Sequence, residues 1–442
     1  KEQIANKIEE QEKVESQVNQ IKNPGKNPSK EDDKKPVSKD ETPKTEIKLL
    51  SVYSSNYLSS NATAKVWQTE LKKIEEKKHY KTTVDKLDPL SAVDVITKEV
   101  MAGKSTADVY DISLSMCRSL AKSKAVANWL NSKTLDFSKV QNGGTQAVTF
   151  GKKCYGIALN GTSGAVTGIM YNKDLIAKYA PEYNLQKLYK ENKWDFDAFR
   201  EVAKLCTRDT DGDNKNDVFG VTSNTNLIGI MLTCNAGGTA LMKNGRVEAT
   251  MCNAAGIEAL EWCKDMFKND RSWAYKADIN NCVDLFANGE AAMFVSYLAF
   301  YPTIASKAEF SLGFVLMPIG PAQTDYINSV YDAALYIVPK TNEKRLDDIG
   351  NWLNGIANVS GKLLNEQIKK LAKNGMDATC QKIYKSLVNN MSAEYSTGAF
   401  TSNISSQVDS SVTAASKSPA KVMAAIKSSA QKECDDFYGP LY

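Results

Sequence analysis

The sequence predicts an α/β protein of two lobes, each a doubly wound sheet flanked by helices. Continuous apolar runs such as IKLLSV have the composition of strands that are buried on both faces, as in parallel sheets. These runs alternate with segments of helical periodicity at the spacing of βαβ units, and the alternation occurs twice along the chain. A length of 442 residues is sufficient for two or three domains with substantial cores.

The predicted elements follow one another without long gaps after residue 47. The first half gives a strand at 47–52, a helix at 63–78, a strand at 80–87, a helix at 91–102 with Ser91 as its cap, and the strand ADVYDISL. The pattern returns with the strand GIMYN, helices at 173–180 and 195–206, and the strand VFGVTS. The carboxyl-terminal third is mostly helical, with predicted helices at 345–359, 361–373 and 419–437.

Residues 1–46 differ from everything that follows. Nearly half of them are Lys, Glu or Asp, none is aromatic, and four prolines interrupt the second half. Such a segment cannot bury enough apolar surface to offset the entropy of ordering it, so we expect a flexible tether. A charged tether before a folded body is typical of a protein that is anchored by its amino end.

Composition excludes several classes of function. A formal net charge of +4 with basic and acidic residues interspersed gives no nucleic-acid footprint, and no run reaches the ~18 apolar residues of a membrane helix. The nine cysteines show no metal-binding spacing, and most lie among apolar residues as small buried hydrophobes. The single histidine, His79, leaves no basis for Ser-His-Asp catalysis or a His-ligated metal.

The segment DTDGDNKND places acidic side chains at alternating positions of one loop. Carboxylates at positions 1, 3, 5 and 9 and a backbone carbonyl at position 7 are the spacing of a calcium loop, here Asp209, Asp211, Asp213, Asp217 and Lys215. The loop departs from the EF-hand pattern because Asn214 replaces Gly at position 6 and Gly220 replaces the bidentate Glu at position 12. The sequence therefore predicts a structural calcium ion, and a solvated acidic turn is the alternative.

Six segments in order resemble the extracellular solute-binding proteins of ABC importers, specifically the carbohydrate-binding group that includes maltose-binding protein. The segments run from residue 47 to about 353: IKLLSVYSSNY; ADVYDISLSMCRSLAKSKAVANWL; KKCYGIAL with GIMYNKDLIAKY; KWDFDAFREVAKLCTRDTDGDNKNDVFG; DLFANGEAAMFVS with GFVLMPIGP; and ALYIVPKTNEKRLDDIGNWL. Each motif is weak alone, and their shared order makes the resemblance strong.

The resemblance implies a periplasmic-binding-protein-like fold, in which two lobes are joined by a multi-strand hinge and close over a solute. It places chain crossings near 158–166, 290–296 and 329–334. Lobe 1 is then expected to comprise 47–160 and 292–330, and lobe 2 to comprise 161–291 and 331–442. Some relatives that bind acidic oligosaccharides have a calcium loop similar to the one at 209–217, away from the cleft.

Sugar sites stack aromatic rings on the solute and surround its hydroxyls with polar groups, at loops that follow strand ends in this fold. The expected ligand residues therefore follow the predicted strands or flank the crossings: Tyr53, Tyr57, Ser113, Ser115, Asn160, Thr162, Trp273, Tyr275, Tyr297, Tyr301, Tyr331 and Asp332. Packing within a lobe is the alternative for each tyrosine, and Trp273 is the strongest single candidate.

The sequence thus favours a binding protein that is not an enzyme. We expect a monomeric lipoprotein at the extracellular face of the membrane that captures a sugar or oligosaccharide by hinge closure and delivers it to the importer's membrane subunits. A carbohydrate-active enzyme is one alternative, although no facing pair of carboxylates is evident. A calcium-stiffened adhesion protein is another, although internal repeats are absent. The length and charge of the solute stay open.

Overall fold

The computed structural model describes residues 45–140, 142–159, 166–389, 391–396 and 398–442. Nearly all of the predicted tether at 1–46 lies outside these ranges, as do Asn160 and Thr162. The two final residues of that predicted tether already belong to the first strand, which begins at Thr45.

The strands are β1 (Thr45–Ser51), β2 (Tyr80–Lys86), β3 (Val109–Ile112), β4 (Thr149–Phe150), β5 (Lys153–Cys154), β6 (Thr167–Asn172), β7 (Phe219–Ser223), β8 (Leu241–Lys243), β9 (Arg246–Glu248), β10 (Trp273–Tyr275), β11 (Ala291–Tyr297), β12 (Leu312–Val315), β13 (Ser329–Val330), β14 (Leu335–Ile337) and β15 (Ser392–Ala393).

The α-helices are α1 (Ser55–Leu58), α2 (Ala62–Lys78), α3 (Ala92–Met101), α4 (Leu114–Lys122), α5 (Gly143–Gln146), α6 (Lys173–Tyr179), α7 (Leu185–Lys190), α8 (Phe196–Cys206), α9 (Asn226–Ala236), α10 (Ala254–Lys264), α11 (Ile279–Ala287), α12 (Tyr301–Lys307), α13 (Leu346–Ile356), α14 (Val359–Lys373), α15 (Ala378–Asn389), α16 (Ser402–Thr413) and α17 (Pro419–Tyr438).

Two main sheets form the two lobes. The first has the order β14-β3-β1-β2, in which β1 runs parallel to β2 and β3 while β14 runs antiparallel to β3. The second has the order β10-β7-β11-β6-β12, with β10, β7 and β11 parallel to one another and β6 antiparallel to both β11 and β12. The two-lobed α/β class is thus confirmed, and each sheet includes antiparallel neighbours.

Local signals place the helix starts. The Asn172 side chain accepts hydrogen bonds from the Asp174 and Leu175 amides, both at 3.0 Å, and so begins α6 as an N-cap. Ser91 occupies the cap position of α3, but its side chain makes no cap bond and its hydroxyl donates to the Asp88 carboxylate at 2.7 Å. The predicted cap residue is therefore in place while a neighbouring carboxylate engages its hydroxyl.

The assignment of segments to lobes needs a correction. Within 292–330, which the sequence assigned to lobe 1, β11 and β12 pair with β6 and β7 of the second sheet. Within 331–442, assigned to lobe 2, β14 pairs with β3 of the first sheet, and α13 and α14 pack on α2. The strand AAMFVS is apolar on both faces, so its composition does not indicate which sheet receives it.

The crossings change accordingly. The chain leaves the first sheet before β6, returns between β12 and β14, and leaves again after α14, since α15 contacts β12 and the later helices α16 and α17 pack on α10. The predicted crossing near 290–296 is wrong, because β11 lies wholly inside the second sheet. A crossing does lie between β12 and β14, around the predicted 329–334, but it runs from the second sheet to the first, opposite to the predicted direction.

Buried apolar side chains form three clusters. One lies between the first sheet and α2 and α13, and includes Trp67, Trp129 and Trp352. A second fills one face of the second sheet and includes Trp194, Trp262 and Trp273. The largest joins residues of both sheets, Ile112 and Phe294 among them, through side chains at 383–399. The carboxyl-terminal region therefore packs against both lobes.

All nine cysteines are unpaired and buried, which confirms the prediction that they behave as core residues. Among the described residues, no helix has both the length and the apolar content that spanning a bilayer requires.

Candidate functional site

Several predicted ligand residues meet at one edge of the first sheet. Since β1 and β3 are parallel, the residues that follow them emerge at the same edge, and β14 begins there because it runs the opposite way. Tyr53 follows β1, Ser115 follows β3 and Asp332 precedes β14. We call these three residues, together with Tyr297 and Tyr331, the junction cluster; all five are half-buried.

Asp332 forms hydrogen bonds to the segments that meet at this edge of the sheet. Its Oδ1 accepts hydrogen bonds from the Leu114 amide at 3.1 Å and from its own neighbour, the Ala333 amide, at 2.9 Å. The Tyr53 hydroxyl lies close to the same carboxylate. Burial raises the pKa of Tyr53 well above its usual value, and the nearby Asp332 and Asp111 carboxylates raise it further. Tyr53 is therefore a neutral hydroxyl at any physiological pH.

Tyr331 connects this edge to the second lobe. Its hydroxyl donates to the Gly229 carbonyl at 3.0 Å and lies 2.5 Å from Thr233 Oγ1, and both partners belong to α9. Burial raises the pKa of Tyr331, and the hydroxyl of Tyr297, at the end of β11, lies within electrostatic range. The junction cluster thus combines aromatic and carboxylate groups from both lobes at the place where the chain crosses between them.

Ser113 directly precedes α4 and lies next to Ser115 of the junction cluster. It is buried, and its Oγ accepts a hydrogen bond from the Met116 amide at 3.3 Å, so it serves as the N-cap of α4. Its Oγ also lies 3.2 Å from that of Ser115. Of the two serines, Ser115 is the one with accessible surface.

A buried carboxylate, that of Asp111, lies near Tyr53 of the junction cluster. Asp111 Oδ2 accepts hydrogen bonds at 2.8 Å from both Ser51 Oγ and Tyr57 Oη. Its Oδ1 has no hydrogen-bond partner among the described residues. Burial raises the pKa of Asp111 to about 6, although the Tyr57 and Ser51 hydroxyls lower it. Tyr57 itself is buried and its hydroxyl is bonded to Asp111 and Tyr336, so its predicted contact with a ligand does not fit this structure.

Three further predicted residues do not join the cluster. Trp273 is only 3% exposed, its ring packs edge-on against Phe267, and its indole N–H donates to the Ser223 carbonyl at 3.0 Å. Tyr275 packs edge-on against Trp273, and Tyr301 is fully buried in α12. The prediction for Trp273 and Tyr301 is corrected, because their rings complete the apolar cores of the second lobe.

The sequence did not single out a buried pair that spans both lobes. Arg118 of α4 is fully buried, and its Nη2 donates to the carbonyls of Ala147 at 3.1 Å and Glu394 at 2.6 Å. The Glu394 carboxylate accepts from the Ala240 amide at 3.3 Å, on the second lobe. Burial raises the pKa of Glu394, against the opposing effects of Ser396 and Arg118. In the sequence, the feature that could have indicated this pair is a charged residue, Arg118, on the otherwise apolar face of α4.

The acidic loop partly follows its predicted geometry. Asp209, Asp211 and Asp217 each present a carboxylate oxygen within 4.8 Å of the others. Asn214 has the left-handed φ of 65° that its position in a calcium loop requires. Asp213 is different, since its carboxylate lies outside this set and forms an ion pair with the Lys215 ammonium at 3.0 Å. Three of the four predicted carboxylates therefore converge on one point.

A surface cavity of about 560 Å³ lies beside α8, and charged side chains line most of it. None of the predicted ligand residues contributes to it, and its Arg200 is already bonded to Asp270 and Asp265. This cavity is thus separate from the junction cluster and offers no uncommitted guanidinium.

Comparisons with known proteins agree with this architecture. M. tuberculosis UspC matches with a TM-score of 0.66 and 15% identity over 88% of this chain and 100% of that one. The substrate-binding protein Lmo0181 from Listeria monocytogenes, in complex with cycloalternan, matches with a TM-score of 0.58 and 17% identity over 90% and 99% of the two chains. The maltose/maltodextrin-binding domain MalE from Bdellovibrio bacteriovorus, bound to maltotriose, gives 0.54 and 14% over 88% and 99%.

These similarities establish the shared fold. No curated protein sequence matches the chain. A family model does match, however: the one described as bacterial extracellular solute-binding protein aligns with residues 71–347, which is more than half of the 442 residues. The chain therefore belongs to the bacterial extracellular solute-binding protein family.

Proposed function

We propose that this protein captures a sugar or oligosaccharide at the junction cluster and delivers it to the membrane subunits of an ABC importer. The observation that supports this most directly is the crossing at residues 331 and 332. Asp332, beside Tyr53, accepts a hydrogen bond from Leu114 of the first lobe, and the adjacent Tyr331, near Tyr297, donates to Gly229 of the second lobe. Aromatic rings and a carboxylate are the groups that recognise sugar rings and hydroxyls. Structural relatives in complex with cycloalternan and maltotriose have the same fold.

The mechanism follows from the two origins of the cluster. A solute that contacts Asp332, on the segment leading into the first sheet, and Tyr297, on the second sheet, has more contacts when the lobes are closed than when they are open. Such a solute shifts the equilibrium toward the closed form in proportion to that difference in affinity. No covalent bond changes, and the comparisons give no support to the enzyme or adhesion alternatives.

The test is a glycan screen by thermal shift, followed by calorimetry on every hit and chromatography of the recovered ligand. We expect saturable binding with the glycan unchanged. Asp332→Ala should weaken the affinity at least tenfold, because it removes the carboxylate at the centre of the cluster. Asp325→Ala is the matched control, since Asp325 is an exposed carboxylate seven residues earlier. Cleavage products, or equal effects of the two variants, would contradict the proposal.

We further propose that Asp209, Asp211 and Asp217 hold a structural calcium ion. Three exposed carboxylates that converge within 4.8 Å repel one another, and a hard cation between them removes that repulsion. A chelator should lower the melting temperature of the wild-type protein by several degrees, since a ligand at one hundred times its Kd stabilises by about 2.7 kcal/mol. Asp211→Ala should abolish this sensitivity; a melting curve indifferent to both changes would refute the calcium site.

The family is extracellular, and we propose that the charged segment at 1–46 tethers the protein to the outer face of the membrane through a lipid. Metabolic labelling with a fatty-acid analogue, followed by fractionation of the source cells, tests the anchor. We also propose that the protein works as a monomer, which sedimentation analysis of the purified chain checks. Label in the membrane fraction and a mass near 48.6 kDa for the unlipidated chain are the expected results.

A further inference from the structure

The short helix α5 lies against segments that link the two lobes, and side-chain hydrogen bonds fix it to the first lobe. Thr145 Oγ1 donates to the Val140 carbonyl at 2.8 Å and accepts from the Ala158 amide at 3.0 Å. Asn142 Nδ2 donates to the same two carbonyls, those of Val140 and Ala158, at 3.0 and 2.7 Å. Val140 is fully buried in the apolar cluster between the first sheet and α2 and α13. The position of α5 therefore follows that of the first lobe.

The two paired strands β13 and β15 are fixed to the second lobe instead. Asn328 directly precedes β13, and its Nδ2 donates to the Thr167 carbonyl of β6 at 2.9 Å. Thr167 Oγ1 donates in turn to Asn328 Oδ1 at 3.2 Å, and the Asn328 carbonyl accepts from the Ser392 amide of β15 at 2.8 Å. Since β6 lies inside the second sheet, a rotation of one lobe against the other moves this strand pair relative to α5.

Gly143 is the point at which α5 meets the strand pair. A Cβ added at Gly143 would overlap the carbonyl oxygen of Met391, which directly precedes β15, and would lie 3.0 Å from Cγ2 of Val330 in β13. Carbon atoms in contact are normally about 3.5–4.0 Å apart. The φ of Gly143 is not positive, so it is the close approach of the two backbones that requires glycine here.

We propose that Gly143 is a positioning residue that sets the angle between the two lobes. Because Gly143 has no side chain, α5 packs directly on the β13–β15 pair, and this contact limits the rotation of the second lobe. A methyl group at the same place separates the two elements and changes the angle at which they meet. The inference rests on the proposed function, in which the lobes hold a solute between them. A changed angle alters the fraction of molecules whose lobes fit the solute, and the apparent affinity changes with that fraction.

The experiment measures the distance between the lobes in the full chain, without any solute. Nitroxide labels are placed on cysteines introduced by Met101→Cys in α3 and Lys190→Cys in α7, two exposed positions on different lobes. The nine native thiols are buried, and the chain without introduced cysteines is the labelling blank. In pulsed electron paramagnetic resonance, Gly143→Ala should shift the mean distance between the labels by about 2 Å or more, in either direction.

A second crowded glycine separates positioning from stability. A Cβ added at Gly350 of α13 would lie 2.7 Å from Thr134 Oγ1 and 2.8 Å from Ser132 Oγ, and these residues all belong to the first lobe. Gly350→Ala should therefore lower the melting temperature, as Gly143→Ala does, and leave the distance between the labels unchanged. An unchanged distance in Gly143→Ala, or an equal shift in Gly350→Ala, overturns the inference.

A milder variant decides the question if Gly143→Ala does not fold. Val330→Ala removes the methyl group that faces Gly143, so α5 and the strand pair should be held less tightly and the distribution of distances should broaden. Val202→Ala, at a fully buried valine inside the second lobe, should leave the width of that distribution unchanged. Equal widths in these two variants contradict the role of Gly143.

The link to solute capture has its own measurement. For a glycan identified in the screen, Gly143→Ala should change the Kd about tenfold, because the population of fitting molecules changes. A shifted distance with an unchanged Kd would contradict a role in capture. If no glycan binds, the proposed function fails, and the distance measurement still decides whether Gly143 sets the angle between the lobes.

Discussion

The acidic loop at 209–217 and the junction cluster both bring carboxylates together, and they do so in opposite ways. In the loop, nine consecutive residues turn back on themselves, and Asp209 accepts from the Gly212 and Asn214 amides at 2.6 and 2.8 Å. In the junction, Tyr53 and Asp332 are 279 residues apart and meet because β14 pairs with β3 beside β1. The loop is exposed and its geometry is local, whereas the junction is half-buried and its geometry depends on the whole fold.

This difference predicts unequal responses to mutation. A local exposed site loses its ion and little else, whereas a buried non-local site loses stability with any charge that is left unpaired. Four measurements test this difference between the two sites.

The largest effect is expected at Arg118. Arg118→Ala removes three hydrogen bonds to the Ala147 and Glu394 carbonyls and leaves the Glu394 carboxylate buried without a cation. We expect it to lower the free energy of unfolding by about 3–5 kcal/mol, measured by chemical denaturation. Arg271→Ala, at an exposed arginine, should change it by less than about 0.5 kcal/mol. A small effect at Arg118 would show that the buried pair does not join the lobes.

The next effect is a pH dependence that originates at Asp111. Its pKa of about 6 lies above that of an unfolded aspartate, so the native state keeps a proton that the unfolded state releases between about pH 4 and 6. Stability from this group is therefore lost as the pH rises through that window, by about 3 kcal/mol in total. Asp111→Asn should remove this loss.

The measurement for Asp111 is the difference in unfolding free energy between wild type and Asp111→Asn at pH 4 and pH 7. Relative to the variant, the wild-type protein should become less stable at the higher pH. A difference that is constant across the window would contradict the raised pKa of this carboxyl group.

A smaller effect separates the loop residues from one another. Asp217→Ala should weaken calcium binding more than tenfold, because Asp217 belongs to the converging set. Asp213→Ala should weaken it less than threefold, since that carboxylate is engaged by Lys215. Calorimetric titration with calcium measures both. Equal losses would favour the spacing rule of the sequence over the observed geometry.

The smallest effect concerns a single hydroxyl in the junction. Tyr53→Phe removes the hydroxyl beside Asp332 and keeps the ring, so the affinity for the solute should fall about fivefold, in line with ~1 kcal/mol for one hydrogen bond to the solute. Tyr183→Phe, at a half-buried tyrosine of the second lobe, is the control and should leave the affinity unchanged. Equal affinities in both variants would remove Tyr53 from the site.

The same contrast explains what could be predicted from the sequence. The helix expected at 63–78 is observed at Ala62–Lys78 because its periodicity, and the Asn61 cap that accepts from Ala64, are local properties. The predicted lobe of β11 was wrong because its pairing partners in β6 and β7 are more than 70 positions away in the sequence. The converging carboxylates of the loop were identified from spacing, although the lysine that diverts Asp213 was counted only as a carbonyl ligand.

The junction cluster was predicted only in part, again because its geometry depends on residues that are far apart in the sequence. The structure places Tyr53, Ser115, Tyr297, Tyr331 and Asp332 near the strand ends from which they were chosen, since strand ends share an edge in α/β sheets, and their contact with a ligand stays a prediction. Trp273 lies in the kind of polar sequence that is expected around an aromatic residue in a ligand cleft. Its packing against Phe267 and its hydrogen bond to Ser223 show that it belongs to the core. Glu394 lies in a short irregular segment without periodicity, so nothing local indicated its burial.

The nine unpaired sulfur atoms have a practical consequence. Because none is bridged, the folded chain needs no oxidant, and recombinant protein from a reducing cytoplasm should have its cysteines in the same unpaired state. Because each thiol is shielded in the native state, a bulky alkylating reagent can modify it only when its surroundings open. Mass spectrometry of the labelled peptides would then give the rate of alkylation at each cysteine. The rates at Cys117 and Cys154 would report the opening of the first lobe, and those at Cys206 and Cys263 the opening of the second.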